Sequence, residues 1–208
     1  MRALARSPQA AQKVAARGAE PFDGHVLDED RLAVGMDGCA VAYHVAGVNT
    51  HCPDDPDHLM RVNVGGTAAV VRAAARAGVA RVVMTSSAAS IGEPHGTVGT
   101  EATEHRGSYL SVYDRSKHEA EIAAFADGAL LGVEVVTLNP SSVQGPGRAS
   151  GNGKLIIDYL NGKLPAFVDV PVSVVDVADV AEAHRLPPSA GDPARATCST
   201  ARRSPRPR

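Results

Sequence analysis

The chain has 208 residues, of which 44% are hydrophobic and 21% are charged, and its formal net charge is −2 at pH 7. This is the composition of one soluble globular domain, long enough to bury a core. A charge this close to neutral argues against binding to nucleic acid or to an anionic membrane through bulk charge.

Cysteine usage and apolar patterning favour a reducing, cytoplasmic setting. Cys39, Cys52 and Cys198 stand at unrelated spacings without a CxxC pair, so neither a disulfide framework nor a zinc site is predicted. Residues 1–6 lack the apolar region of a secretory signal. No apolar stretch approaches the roughly 20 residues that a membrane span needs.

Short β-branched runs alternate with helix-like segments along the chain. The first residues are predicted to form a strand that leads through Ser7 and Pro8 into a helix at 9–17. Further strands are predicted at 40–45, 79–84 and 133–138, and further helices at 58–77, 109–126 and 153–161. This alternation indicates right-handed βαβ units, so we predict an α/β fold with a doubly wound parallel sheet.

The C-terminal residues differ in composition from the rest of the chain. Residues 185–208 are rich in Arg, Pro and Ser, with Asp192 as their only acidic residue and no apolar period. We predict a folded domain at 1–184 and a disordered tail at 185–208. The tail is interpreted as a solvated terminus, with a basic arm for a partner or nucleic acid as the alternative.

Two segments carry side chains suited to catalysis. Thr85, Ser86 and Ser87 follow a predicted strand, where open α/β sheets bind their ligands. Tyr113 and Lys117 are four residues apart and share one face of a predicted helix. An ammonium beside a phenol favours the phenolate, and a serine hydroxyl can bind the same substrate oxygen. A YxxxK spacing alone is weak evidence, because it occurs on many helices by chance.

The surrounding motifs strengthen this interpretation. In chain order they are HVAG at 44–47, NVGGT at 63–67, TSS at 85–87, YDRSK at 113–117 and NPSSVQGPG at 139–147. In this order they resemble the extended short-chain dehydrogenase/reductase superfamily. Within it, they resemble the NAD-dependent epimerase/dehydratase group and its dihydroflavonol-reductase-like members. The resemblance covers roughly residues 1–184 and implies a Rossmann-like fold.

The resemblance assigns roles to individual residues. It implies that Tyr113 is the acid/base, that Lys117 holds the nicotinamide ribose, that Ser87 orients the carbonyl and that Asn63 supports them. The residues that it places along the cofactor are Ala46, Gly47, Pro140, Ser141 and Ser142.

Cofactor preference is expected at the end of the first strand, where NAD enzymes carry an acid and NADP enzymes an Arg. Here Arg6 is present and the acid is absent. A guanidinium suits a 2′-phosphate, so NADP is predicted, with NAD as the alternative. Val26 and Leu27 match the adenine-side turn, although His25 stands where an Asp is usual.

The sequence departs from the family at both ends. No glycine-rich phosphate turn is present at the start, and the resemblance stops at residue 185, before the expected substrate lobe. The predicted sheet is therefore incomplete, because it lacks the central strand with which the family begins. Either its two halves pair directly, or an N-terminal segment outside these residues belongs to the working protein.

Several histidines receive a weaker interpretation. Residues 51–58 combine His, Cys and Asp with two prolines, and a solvated loop is preferred to a metal site. His95, His105 and His118 are candidates for assisting acid/base chemistry, with polar surroundings as the alternative. Residues 93–108 are predicted to be a mobile loop that closes over the substrate.

The resemblance implies an NAD(P)-dependent oxidoreductase that moves hydride between nicotinamide and a carbonyl or alcohol of a small-molecule substrate. One alternative is a nucleotide-sugar epimerase or dehydratase that uses the same site. Another is an inactive remnant or an interaction module. The resemblance also implies a homodimer through the helices near 58–77 and 109–126, with packing of those helix faces on the chain's own sheet as the alternative. No nucleic acid, membrane or metal partner is predicted.

Overall fold

The computed structural model describes residues 1–100, 102–146, 151–164 and 172–185, which alternate between strands and helices. The strands are β1 (Arg2–Ala5), β2 (Glu20–Asp23), β3 (Val41–His44), β4 (Arg81–Thr85), β5 (Glu134–Leu138), β6 (Ser142–Gln144) and β7 (Val174–Asp176). The helices are α1 (Pro8–Ala15), α2 (Glu29–Met36), α3 (Pro56–Met60), α4 (Gly66–Arg76), α5 (Val112–Leu131), α6 (Asn152–Leu160) and α7 (Val177–Arg185). This order confirms the predicted α/β class.

The strand pairs are all parallel, but they fall into three sheets across the described residues. β1 pairs with β2, β4 lies between β3 and β5, and β6 pairs with β7. Within the described part of the chain, no ladder joins β1 to β3. The direct pairing of the two halves, one of the two predicted options, is therefore not what the structure shows.

The helix predicted at 58–77 is divided into three parts. α3 begins at Pro56, capped by Asp55, whose carboxylate accepts from His58 N at 2.8 Å. A π-helical turn, Arg61–Gly65, separates α3 from α4. One π turn inserts an extra residue into the helical repeat and changes the direction of the side chains that it carries.

α5 begins later and ends later than the predicted range of 109–126. Ser111 is extended and its Oγ accepts from Asp114 N at 3.1 Å, so this residue caps the helix. Gly132, with φ of 73°, ends the helix in the left-handed conformation that favours glycine.

Ion pairs join the helices on one side of the three-stranded sheet. Arg72 of α4 contacts Glu29 of α2 at 2.8 Å and Asp127 of α5 at 3.1 Å. Arg76 contacts Asp30 at 2.7 Å. The sequence patterns did not predict α2, a helix of eight residues whose position depends on these contacts with α4.

The main core lies where α4 and α5 pack near β4 and β5. Its most deeply buried side chains include Val71, Ala73, Ala74, Val82, Met84, Ala120 and Ala124. The apolar residues of α4 are thus largely covered by this chain itself. α5 also exposes Ile122 and Leu130. The homodimer expected through these helices stays a prediction.

The predictions about membrane spans, cysteines and the C-terminal tail depend partly on residues outside the described ranges. No helix within the described ranges is long and apolar enough to cross a membrane. Cys39 and Cys52 are free thiols. Cys198 and residues 186–208, which include nearly all of the predicted tail, lie outside the described residues.

Candidate active site

The carboxyl end of β4 forms one wall of the candidate site. Ser86 N donates to Leu138 O at 2.7 Å, which holds the chain beside the end of β5. Ser87 then caps a short 3-10 turn, and its Oγ accepts from Ala89 N at 3.2 Å. Because that contact uses Ser87 Oγ as an acceptor, its hydroxyl hydrogen can be donated to a ligand.

Tyr113 and Lys117 lie on the first turns of α5, opposite this strand end. Lys117 Nζ donates to Thr85 O at 3.1 Å and lies 6.0 Å from the centre of the Tyr113 ring. Burial lowers the pKa of Lys117, and the negative charge of Glu121 acts in the opposite direction. The predicted pair is thus brought together with its ammonium in a largely dehydrated place.

Asn63 lies behind the cavity, in the π-helical turn, and is only 2% exposed. Its Oδ1 accepts from Val48 N at 2.7 Å, and its Nδ2 donates to Val48 O at 3.0 Å and to Ser116 Oγ at 2.9 Å. The side chain therefore ties the segment after β3 to α5. The supporting role that the resemblance implies for Asn63 stays a prediction.

His44, at the end of β3, is a buried imidazole linked to Asn63 through Thr67. Thr67 Oγ1 donates to Asn63 O at 2.6 Å, so at 2.9 Å it accepts from His44 Nε2. Burial, with a smaller contribution from the charge of Lys117, lowers the pKa of His44 to about 4. His44 is thus a neutral hydrogen-bond donor near pH 7.

A cavity of about 1,440 Å³ joins these elements. The predicted site residues that line it are Gly47, Ser87, Tyr113, Lys117, Pro140, Ser141 and Ser142. A Cβ added at Gly47 would lie 3.2 Å from Asn63 Oδ1 and 3.7 Å from Lys117 Nζ, so a side chain there would displace Asn63 by a few tenths of an ångström.

The cavity suits a polar planar cofactor such as nicotinamide. Ser141 Oγ is buried and has no hydrogen-bond partner in the structure, which a ligand group at this wall would supply. Lys117 adds a positive charge, and Gly47 permits close approach of the backbone. The residues present therefore fit a nicotinamide nucleotide.

The remaining predicted cofactor residues lie elsewhere. Arg6 and Ala46 are exposed and are not among the described residues that line the cavity. Val26 is a core residue that packs against Gly66. Leu27 borders a separate surface depression. The assignment of Arg6, Ala46, Val26 and Leu27 to the cofactor stays a prediction.

The sequence analysis missed two residues that line the cavity and contact the predicted site. His184 Nδ1 lies 2.7 Å from Val180 O, so it donates there and Nε2 accepts from Thr85 Oγ1 at 2.6 Å. His51, which is exposed, meets the edge of the Tyr113 ring with centroids 5.0 Å apart. Histidines close to motif residues were the signal available, but contacts between distant segments were needed to assign them.

His105 and His118 lie away from the candidate site. Their rings are in edge contact, 3.9 Å between centroids, and they line a separate cavity of about 210 Å³. Burial lowers the pKa of His105. In the loop predicted to be mobile, Arg106 N donates to Gly92 O at 2.9 Å. His95 is exposed.

Among the residues that the structure describes, no group of three or more His, Cys, Asp or Glu side chains could hold a metal ion. This includes the segment at 51–58, the metal alternative considered above. Its Asp55 instead caps α3, and its Cys52 is exposed.

Parallel strands, with the Tyr113–Lys117 pair on a helix and Ser87 at a strand end, are features of a Rossmann-like fold, in which ligands bind at the carboxyl ends of the strands. A family model described as the NAD dependent epimerase/dehydratase family matches residues 1–186. The chain therefore belongs to this family, which confirms the resemblance in the sequence.

Individual relatives agree with this assignment. A Synechocystis sp. protein provisionally named dihydroflavonol 4-reductase is 34% identical over 166 residues, which is 77% of this chain and 48% of that protein. Cinnamoyl-CoA reductase 2 of Arabidopsis thaliana is 34% identical over 172 residues, which is 77% of this chain and 51% of that protein. The chain thus spans about half the length of these curated relatives.

A solved structure shares the fold. The Bordetella bronchiseptica enzyme WbmG, crystallised in complex with NAD, superposes with a TM-score of 0.78 at 22% identity. The superposition covers 96% of this chain and 64% of that chain. At this identity the match establishes the Rossmann-like architecture.

Proposed function

We propose that the chain carries the catalytic site of an NAD(P)-dependent oxidoreductase that interconverts a carbonyl and an alcohol. The observation that carries the proposal is the Tyr113–Lys117 pair. Its ammonium donates to Thr85 O, lies 6.0 Å from the phenol ring and shares a cavity with Ser87. Relatives at 34% identity named as reductases support a reductase over an epimerase or dehydratase.

In this proposal the chain's own residues bind the reacting oxygen and move its proton. Tyr113 Oη donates a proton to the substrate oxygen in reduction and accepts it in oxidation. The Lys117 ammonium favours the phenolate, and Ser87 donates a hydrogen bond to the developing alkoxide. Asn63 Nδ2 donates to Ser116 Oγ, next to Lys117 on α5, and Asn63 Oδ1 lies beside Gly47, so Asn63 connects these two parts of the cavity lining.

The nicotinamide group, when bound, supplies or accepts the hydride. The residues proposed to hold it are Lys117, Gly47, Pro140, Ser141 and Ser142, which line the cavity. Arg6 is proposed to favour NADP through its guanidinium, with NAD as the alternative. Titration of NADPH and NADH into the purified chain compares the two cofactors directly.

The test of function is the turnover of Tyr113→Phe on a panel of carbonyl substrates. Removing the proton donor is expected to lower kcat by about 10²- to 10⁴-fold while cofactor binding is retained. Tyr43→Phe is the matched control, since Tyr43 borders the same cavity and is 51% exposed. Full turnover by Tyr113→Phe would refute the proposal. A folded wild-type chain that binds neither cofactor would favour the inactive-module alternative.

A further inference from the structure

Glu121 lies one helical turn beyond Lys117 on α5, and three donors converge on one of its carboxylate oxygens. Oε1 accepts from Ser90 Oγ at 2.6 Å and from Asn139 Nδ2 at 2.6 Å, and it also accepts from Ser86 Oγ. An oxygen that accepts three hydrogen bonds in a partly buried place is well suited to carry negative charge.

These three donors belong to the two segments that form the wall beside Ser87. Asn139 follows β5, and its Nδ2 also lies 3.2 Å from Ser87 O. Ser90 Oγ lies 2.8 Å from the same carbonyl oxygen, which competes with Glu121 Oε1 for the single hydroxyl hydrogen of Ser90. Glu121 therefore ties the end of β4 and the residue after β5 to α5, around the backbone of Ser87.

Glu121 and Lys117 are four residues apart on α5, so their side chains lie on the same face of the helix. Among the described residues, the charged or titratable groups that act on or lie beside the Lys117 ammonium are His44 from β3 and Tyr113 and Glu121 from α5. His51 and His184 line the same cavity as Lys117. His44 is neutral near pH 7 because burial lowers its pKa to about 4. Burial lowers the pKa of Lys117, and Glu121 opposes that shift.

Glu121 also borders the smaller cavity that contains His105 and His118. His118 Nδ1 lies 3.2 Å from Ser90 O, so in this pairing it donates to a carbonyl oxygen. These two imidazoles are therefore the groups on the far side of Glu121 whose protonation must be followed in any titration.

We propose that Glu121 is a positioning residue of the Tyr113–Lys117 site. Its carboxylate fixes the backbone around Ser87, and it supplies a counter-charge to the Lys117 ammonium. This proposal rests on the proposed function, because Glu121 positions the site that performs it. The effect of the Glu121 charge on Lys117 can be measured without cofactor or substrate.

The experiment follows the side-chain resonances of the lysines by NMR during a pH titration of the full chain. Only four lysines are present, at positions 13, 117, 154 and 163, and Lys117→Arg identifies the resonance that belongs to Lys117. Glu121→Gln keeps a carbonyl oxygen for the three donors but removes the charge. Glu119→Gln is the matched control, because Glu119 pairs with Arg115 on the exposed side of α5.

In Glu121→Gln, the titration of Lys117 is expected to move to lower pH, since burial then acts without opposition. Glu119→Gln is expected to leave it in place. An unmoved Lys117 titration in a folded Glu121→Gln variant would show a purely structural brace and overturn the proposal. His105 and His118 resonances, followed in parallel, separate this effect from their own protonation.

A second variant covers the case in which Glu121→Gln does not fold. Glu121→Asp keeps the charge but withdraws it by one methylene, so the Lys117 titration is expected to move to lower pH by less. A position at or above that of the wild type would contradict the proposal. Failure of the proposed function, as distinct from failure of this inference, would appear as undiminished turnover by Tyr113→Phe. That result does not depend on the lysine titration.

Discussion

Two regions of the chain differ in how deeply their residues are buried. The N-terminal unit consists of β1, α1, β2 and α2, and the central unit of β3–β5 with α3–α5. α1 has no buried residue, and Glu20–Asp23 of β2 is mostly exposed. In the central unit, three successive residues of β4 and seven residues of α4 are buried.

The polar contacts follow the same division. In the central unit, Asn63 and Glu121 each make three side-chain hydrogen bonds, and both join segments far apart in sequence. Arg6, which is proposed to select the cofactor, is exposed at the end of β1. The groups proposed for chemistry thus lie beside side chains with several hydrogen bonds, whereas the group proposed for cofactor choice is an exposed side chain.

The largest predicted effect is a loss of folding stability at acid pH, which the buried His44 of the central unit causes. Its pKa is lowered to about 4 in the folded chain, against 6.5 for an ordinary histidine. The unfolded chain therefore binds more protons between these values, and stability falls as pH drops from 6.5 to 4. The expected contribution is on the order of 3 kcal/mol, fully present above pH 6.5.

Urea unfolding between pH 4 and pH 7 measures this contribution. His44→Gln is expected to flatten the pH dependence relative to the wild type, with some loss of stability at pH 7. His25→Gln is the control in the N-terminal unit, where the His25 ring accepts a local hydrogen bond from Leu27 N. Equal pH profiles for the wild type and His44→Gln would contradict the assignment.

The sequence predicts those parts of the fold that depend on local periodicity. The strands near β3, β4 and β5 and the YxxxK face of α5 follow from β-branched runs and from helical spacing. α5 begins three residues after its predicted start, because Ser111 caps it. Tyr113, Lys117 and Ser87 are predicted as site residues because each belongs to a local motif, YDRSK or TSS.

The remaining features depend on contacts between distant segments. The π-helical turn that carries Asn63 is coupled to Val48 and Ser116, and no local pattern predicts it. Glu121 looks like an ordinary polar residue of α5 until Ser86, Ser90 and Asn139 are brought to it. The division into three sheets likewise depends on strand pairing across the chain.

A glycine-to-alanine substitution in each unit tests the difference in packing. A Cβ at Gly128 of α5 would lie 2.8 Å from Val133 O, a backbone atom that cannot turn away. At Gly35 of α2, the nearest atoms belong to the Phe22 ring, 2.8 Å away, which can rotate.

Both substitutions gain about 1 kcal/mol of helix propensity. We expect Gly128→Ala to lose about 1 to 3 kcal/mol of stability overall and Gly35→Ala to remain near the wild type. Chemical denaturation of the two variants gives the comparison. A smaller loss for Gly128→Ala than for Gly35→Ala would mean that the central unit is not the more tightly packed one.

The smallest predicted difference concerns an Arg–Glu pair at the start of a parallel ladder in each unit. Arg81 and Glu134 are register partners whose Nε and Oε2 atoms are 2.6 Å apart, and both are about one-third exposed. Arg2 and Glu20 are also register partners, but they are 3.6 Å apart and Glu20 is 68% exposed. We expect a double-mutant cycle to give a coupling of about 0.5 to 1 kcal/mol for the first pair and about 0.2 kcal/mol or less for the second.

Added salt is expected to weaken both couplings, because neither pair is fully shielded from solvent. Equal couplings in the two cycles would show that the N-terminal unit holds its side chains as firmly as the central unit, and would remove the physical basis for placing chemistry in one and cofactor choice in the other.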